Sequence, residues 1–239
     1  MQLIDMRQIK GKILLKSGLH IGAGDTEMKI GGTDNTVIKH PHTLEPFIPG
    51  SSLKGKIRSL LELRTGLMGK SEGKPLSYKV VNEADEPAKT EGLKILKLFG
   101  TSGTDKEEAK VLGPTRCSFA DCPLDDEWKK KAQEEHIPFT EIKPENSINR
   151  ISGTAENPRF TERVPAGAEF RFSVTLKLMD EDSKEDLEQF LLEGMKLLEM
   201  DALGGNGSRR YGRVQLLFDD PAVQEKFDSI QPLLGGSQA

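Results

Sequence analysis

Between Glu169 and Leu178 the chain alternates without a break: Phe170, Phe172, Val174, Leu176 and Leu178 are apolar, and Glu169, Arg171, Ser173, Thr175 and Lys177 are polar. Successive side chains of a strand point to opposite faces, so this period of two places a strand with one face in a core and the other in water. The residues that follow narrow the fold further. Leu187, Phe190, Leu191, Gly194 and Leu198 recur at helical spacing, a glycine-rich loop comes next, and Val214, Leu216 and Phe218 alternate again. The carboxyl half therefore reads strand, helix, glycine loop, strand.

The amino-terminal half repeats the pattern more loosely. Ile9, Gly11, Ile13 and Leu15 alternate imperfectly with polar residues and give a first core strand. The turn Pro49 to Ser52 opens a helix that Ser51 or Ser52 can cap, with Leu53, Ile57, Leu60 and Leu61 on one apolar face and Gly66 placed to end it. Adding a strand over Val111 to Ala120 gives the order β-α-β-β-α-β. This is an α+β, modified ferredoxin-like plan of the kind RNA-recognition domains share, carried by a single domain over 1–239. Two insertions depart from it. Residues 67–110 are rich in Gly, Ser, Lys and Glu, with a short apolar patch at Leu93, Ile95, Leu96, Leu98 and Phe99, and are expected to form a mobile, lid-like insertion with one short helix. Residues 139–166 hold few regular apolar positions, several prolines and the cations Lys143, Arg150, Arg159 and Arg163, and read as an extended, protruding hairpin. Asp125 to Glu135 reads as an exposed charged helical turn or loop.

Composition excludes several classes. With 35% hydrophobic and 30% charged residues, no apolar run of membrane-spanning length and no signal-peptide layout after Met1, the chain is expected in the cytoplasm without membrane contact. Its only cysteines, Cys117 and Cys122, are spaced more loosely than the usual zinc pairs. Even with Asp121 and His136 nearby, neither a structural zinc nor a disulfide scaffold is expected. The net charge of -4 means that any attraction to nucleic acid must be local. From Ser51 to Arg64, Lys54, Lys56, Arg58 and Arg64 face Glu62 alone, whereas Asp180 to Asp201 holds nine acids against Lys184 and Lys196.

Four places could carry chemistry. In Gly204-Gly205-Asn206-Gly207-Ser208-Arg209-Arg210-Tyr211-Gly212-Arg213, glycines let the backbone approach a phosphate and present N–H donors, and three arginines add charge. A helix cap needs one glycine, and this stretch has four. No Gly-Lys-Ser/Thr follows, so it is not a Walker loop, and it follows a helix where a dinucleotide fingerprint follows a strand. The helix start from Ser51 to Arg58 combines unsatisfied N–H groups with Lys54, Lys56 and Arg58, although basic residues on a solvent-facing helix are commonplace. Asp34, in Gly31-Gly32-Thr33-Asp34-Asn35, is either a turn former or a carboxylate able to accept a ribose 2′-hydroxyl proton or help hold Mg²⁺. His20 suits a base, a phosphate donor or a hydrogen-bonded structural role. No Ser-His-Asp set and no two-metal carboxylate cluster is evident.

Taken in order, Gly31 to Asn35, Phe47 to Arg58, Arg159 to Phe170 and Leu203 to Val214 closely resemble the RAMP-type backbone subunits of type III-A CRISPR (Csm) complexes. The resemblance implies a filament of such subunits along a guide crRNA, in contact with other Csm subunits, with a thumb hairpin inserted at intervals into the guide–target duplex; 139–166 is the candidate thumb. It further implies that Asp34, with Mg²⁺ or another divalent cation, is the catalytic and metal-binding residue for cleavage of target RNA to a cyclic phosphate and a 5′-hydroxyl. The resemblance assigns His20, Lys54 and Arg58 to guide binding, and RNA binding is expected also at Ser51, Ser52, Lys56, Arg150, Arg159, Gly204, Gly205, Asn206, Gly207, Ser208, Arg209 and Arg210. Two rivals are a non-catalytic RNA scaffold and a metal-independent CRISPR RNA-processing endonuclease acting through His20.

Overall fold

A computed structural model describes residues 1–24, 35–101, 110–182 and 186–233. In chain order the strands are β1 (Leu3–Leu15), β2 (Cys117–Phe119), β3 (Glu141–Ile148), β4 (Ala155–Arg163), β5 (Glu169–Met179) and β6 (Val214–Phe218). The helices are α1 (Gly50–Arg64), α2 (Tyr78–Asn82), α3 (Ala88–Phe99), α4 (Asp126–Glu134), α5 (Leu187–Met200) and α6 (Pro221–Asp228).

The alternating segment forms β5, one of the two inner strands of a four-stranded antiparallel sheet ordered β2-β5-β1-β6. Helix α1 links β1 to β2 and α5 links β5 to β6. Each connection skips one strand, which is the split β-α-β arrangement expected from the sequence. Register brings Ile9 opposite Val174, Gly11 opposite Phe172 and Ile13 opposite Phe170, all buried on the face the helices cover. On that face Leu53, Ile57 and Leu61 of α1 meet Leu191, Met195 and Leu198 of α5, all at most 1% exposed. Gly194 permits the approach, because a Cβ there would stand 2.8 Å from both Ile57 Cγ2 and Leu61 Cδ1. Each such side chain contributes about 1.5–3 kcal/mol by leaving water.

Residues 67–110 depart from the expected mobile lid with one helix. Their described part folds into a 3-10 turn, α2 and α3, and Leu67, Leu76, Val81, Ile95, Leu96, Leu98 and Phe99 are buried in the main core. Lysines interleave these apolar positions and mask the amphipathic face of α3. The strand expected over Val111 to Ala120 shortens to Cys117–Phe119. Residues 110–112 are helical, and Pro114 offers no N–H to a ladder. Asp125 caps α4 by accepting from the N–H groups of Glu127 and Trp128. Helix α1 is not capped by serine: Pro49 precedes it, and the Asp121 carboxylate accepts the Gly50 N–H at 2.8 Å. Its end is as expected, with Gly66 left-handed at φ 72°.

Where Arg116 precedes β2 and Asp182 follows β5 lies a buried ion pair. Arg116 donates to Asp182 at 2.7 and 3.0 Å and to the carbonyls of Leu112 and Pro114, and Asp182 also accepts the Met179 N–H. Cys117 and Cys122 are free and buried, and burial pushes both thiols up to about 12, so at neutral pH they behave as small apolar side chains.

Candidate nucleic-acid interface

Beyond the carboxyl end of β1 the chain turns at Gly18 and runs between two partners. Leu19 exchanges backbone hydrogen bonds with Val164 at 2.9 and 2.8 Å, where β4 leaves the hairpin. On its other side Gly18 accepts from the Gly212 N–H, and the His20 carbonyl accepts from the Gly205 N–H at 2.8 Å. The glycine-rich loop is thereby stitched to the residue that carries the histidine. Gly204 is left-handed, at φ 75°, and a Cβ there would collide with the His20 carbonyl oxygen, so glycine is required by both conformation and space. Leu203 and Tyr211 anchor the loop in the core, while Gly204, Gly205, Gly207, Ser208, Arg209 and Arg210 are exposed at its crest. The His20 ring is half-buried, and its Nδ1 donates to the Glu162 carbonyl at 2.7 Å, which leaves Nε2 as the nitrogen for any ligand.

Strands β3 and β4 form a separate two-stranded sheet whose outer residues are largely exposed, with Ile151 at its tip 100% exposed. The hairpin expected over 139–166 is thus present over Glu141–Arg163. Glu145 ties it to the glycine-rich loop, accepting from Arg209 at 2.5 Å and from the Tyr211 hydroxyl at 3.0 Å. Lys143 and Arg163 lie 4.8 and 4.9 Å from the Tyr211 ring centre, a cation–π arrangement that stiffens the hairpin base.

A third strand of chain enters at Asn35. Its carbonyl accepts the Glu162 N–H at 2.9 Å, and it bridges Thr161 in parallel. Glu162, 7% exposed, accepts from the Val37 N–H at 3.0 Å, Lys39 Nζ at 2.6 Å and the Thr140 hydroxyl at 2.8 Å. Burial alone would raise this carboxyl, and the three donors together hold it below its ordinary value. Asp34 lies outside the described residues; Asn35, which follows it, is fixed at the hairpin base within the same set of hydrogen bonds that holds His20.

A family model described as the RAMP superfamily matches residues 12–215. Proteins named CRISPR system Cms endoribonuclease Csm3 are similar over most of their length. The one from Methanothermobacter thermautotrophicus is 39% identical, covering 91% of this chain and 85% of its own. For Enterococcus italicus the figures are 35%, 93% and 95%, and for Streptococcus thermophilus 38%, 87% and 85%. The chain belongs to the Csm3 family of the RAMP superfamily. A chain solved in the Csm3–Csm4 subcomplex of the type III-A CRISPR-Cas interference complex matches with a TM-score of 0.52 at 29% identity, covering 90% of this chain and 77% of that one. The Methanopyrus kandleri Csm3 crystal structure shares the fold, with a TM-score of 0.53 at 23% identity and coverage of 89% and 75%.

In this Csm3-family chain the structure separates the cations expected to face RNA. Arg58 points inward: Nε donates to Glu62 at 2.7 Å, and its two other nitrogens donate to the Gly100 and Leu76 carbonyls at 3.0 Å, fastening the 67–110 segment to α1. That geometry engages all three of its nitrogens within the protein. Lys56 pairs with Asp201 at 2.6 Å and Arg64 with Glu193 at 2.9 Å. Lys54 makes no ion pair among the described residues. Asp121 already supplies an anionic partner at the start of α1, beside exposed Ser51 and half-buried Ser52, which weakens the case for an anion site there. Arg150 stands exposed at the hairpin tip and Arg159 exposed on β4. The residues brought together are therefore His20, the loop from Gly204 to Arg210, and the hairpin that bears Arg159. Glu145 and Glu162 were not singled out in the sequence, although each is an acid set in a basic segment, Glu162 being framed by Arg159 and Arg163.

Proposed function

We propose that this chain is a backbone subunit of a type III-A CRISPR effector complex. It holds guide crRNA on the face made by His20 and the glycine-rich loop, stacks with copies of itself and with other Csm subunits, and cleaves complementary target RNA at regular intervals. Endoribonuclease activity follows the name its relatives carry. The observation that carries the reading is the hydrogen-bonded junction of His20, Gly205, Glu162 and Asn35, which joins the glycine-rich loop, a protruding hairpin and the chain that follows Asp34.

For cleavage, the Asp34 carboxylate accepts the proton of a ribose 2′-hydroxyl. The 2′-oxygen attacks the adjacent phosphorus and the bond to the 5′-oxygen breaks, the departing 5′-oxygen taking a proton from water and Asp34 returning its own to solvent, which leaves a 2′,3′-cyclic phosphate and a 5′-hydroxyl. The hairpin favours this reaction by opening the duplex so that attacking and leaving oxygens lie in line. A divalent cation such as Mg²⁺ supplies charge stabilisation at the phosphate when bound. Of the chain's own groups, Asp34 would hold such a cation, with the remaining positions left to oxygens of the substrate. Glu162 is fully engaged by Val37, Lys39 and Thr140, and among the described residues no three His, Cys, Asp or Glu groups cluster into a metal cage. The test is the assembled complex carrying Asp34→Ala, offered a guide-matched RNA with Mg²⁺. Guide binding is expected to persist and regular cutting to stop; cutting that continues would leave only the scaffold role.

A further inference from the structure

In the run Arg209-Arg210-Tyr211-Gly212-Arg213 the three arginines are exposed, whereas Tyr211 is turned inward and is 1% exposed. Arg210 and Gly212 on either side of it are left-handed, at φ 63° and 69°, and this pair of reversals carries the ring into the protein while its neighbours stay in water. The charged groups that the ring and hydroxyl meet there all belong to the β3–β4 hairpin. The hydroxyl donates to Glu145 Oε1 at 3.0 Å, and Lys143 Nζ and the Arg163 guanidinium stand 4.8 and 4.9 Å from the ring centre. Lys143 and Glu145 come from β3 and Arg163 from β4, so Tyr211 grips both strands. Arg163 is itself held, donating from Nε to Glu141 at 2.7 Å and packing so closely on Gly18 that a Cβ there would stand 2.5 Å from its Cδ. A tyrosine that only fills a core needs apolar neighbours and one partner for its hydroxyl. This one is met by two cations and a carboxylate from a hairpin whose outer residues are in water.

We propose that Tyr211 is a positioning residue for target cleavage: anchored in the glycine-rich loop and gripping Lys143, Glu145 and Arg163, it fixes the angle at which the hairpin enters the duplex. The inference rests on the reading above, in which the hairpin opens the guide–target duplex so that the scissile phosphate comes into line. Leverage makes the angle matter. From Glu145 to the exposed tip at Ile151 is about 20 Å of strand, at roughly 3.3 Å per residue, so a tilt of about 5° at the base moves the tip by about 2 Å. A misplacement of about 1 Å is enough to slow a reaction on the order of a hundredfold. Tyr211 touches no reacting atom in this account. It acts through the hairpin, and because it belongs to the loop assigned to the guide, the hairpin takes its aim from the seated guide.

The test is single-turnover cleavage by the assembled complex of two targets, one fully matched to the guide and one left unpaired at each position where the hairpin opens the duplex, with guide affinity measured in parallel. Tyr211→Leu is expected to cut the matched target about tenfold to a hundredfold more slowly, to cut the pre-opened target within about threefold of wild type, and to keep its guide affinity. Tyr211→Phe, which retains the ring between its cations and loses only the bond to Glu145, should fall between Leu and wild type on the matched target. Where the Leu variant does not assemble, the Phe variant decides. A loss of the same size on both targets means that Tyr211 only supports the fold, and no loss on the matched target means that the hairpin is aimed without it; either overturns the inference. A wild-type complex that cuts neither target overturns the cleavage reading beneath it as well.

Discussion

Glu162 gathers Val37, Lys39 and Thr140 on its carboxylate while its carbonyl orients His20, so one buried acid fixes both the histidine and the chain that follows Asp34. It is a positioning residue. Glu162→Ala is expected to slow target cleavage by about tenfold to a hundredfold while guide affinity changes little, measured as single-turnover cleavage against equilibrium binding; equal losses in both would mean it merely supports the fold. His20→Ala should do the reverse, weakening guide binding and leaving the rate of bound complexes near wild type. Asp182 governs stability. Burial opposes its charge, but Arg116, the Met179 N–H and Lys97 hold its pKa below the ordinary carboxylate value. A depressed folded pKa contributes stability above the unfolded value near 4 and loses it as pH falls through the folded one. Melting temperature should therefore drop below about pH 4, and Asp182→Asn should melt lower at neutral pH with a shallower acid response. Arg116→Ala, which strands a buried carboxylate, should cost about 3–5 kcal/mol. None of these pairings could be read from the sequence, because Arg116 and Asp182 are far apart in the chain and Arg58 looks like any other cation on a basic helix.

At the scale of elements, strict alternation made β5 and β6 legible, and helical spacing did the same for α5. Helix α2 was hidden, and of α3 only a short helix at the apolar patch was legible, because lysines interrupt that patch and its burial is set by α1; the cap of α1 was hidden because Asp121 reaches it from another segment. The glycine-rich loop was visible through its composition, while its attachment to His20 and Glu145 arises only in the folded chain. Gly212, at φ 69°, has no room for a Cβ against the Leu203 carbonyl. Gly212→Ala should destabilise by more than about 1 kcal/mol, seen in chemical denaturation. Gly204→Ala should displace the loop from His20 and weaken guide binding even where the fold survives, read by comparing melting with RNA affinity.

Across the whole molecule a net charge of -4 is reconciled with RNA binding by internal pairing. The acids of α5 and its flanks are matched to Arg7, Lys56, Arg64 and Arg116, which leaves Arg150, Arg159 and Arg210, none in an ion pair among the described residues, to define the basic face. Guide affinity should therefore fall steeply with ionic strength and hardly vary with spacer sequence. The central claim is that copies of this chain line a guide RNA through the junction of His20, the glycine-rich loop and the hairpin base. The direct measurement is the length distribution of RNA that co-purifies with the complex and survives nuclease digestion. The account predicts a ladder of protected fragments with a constant step; unprotected RNA, or a single fragment unaffected by the number of subunits, would contradict it.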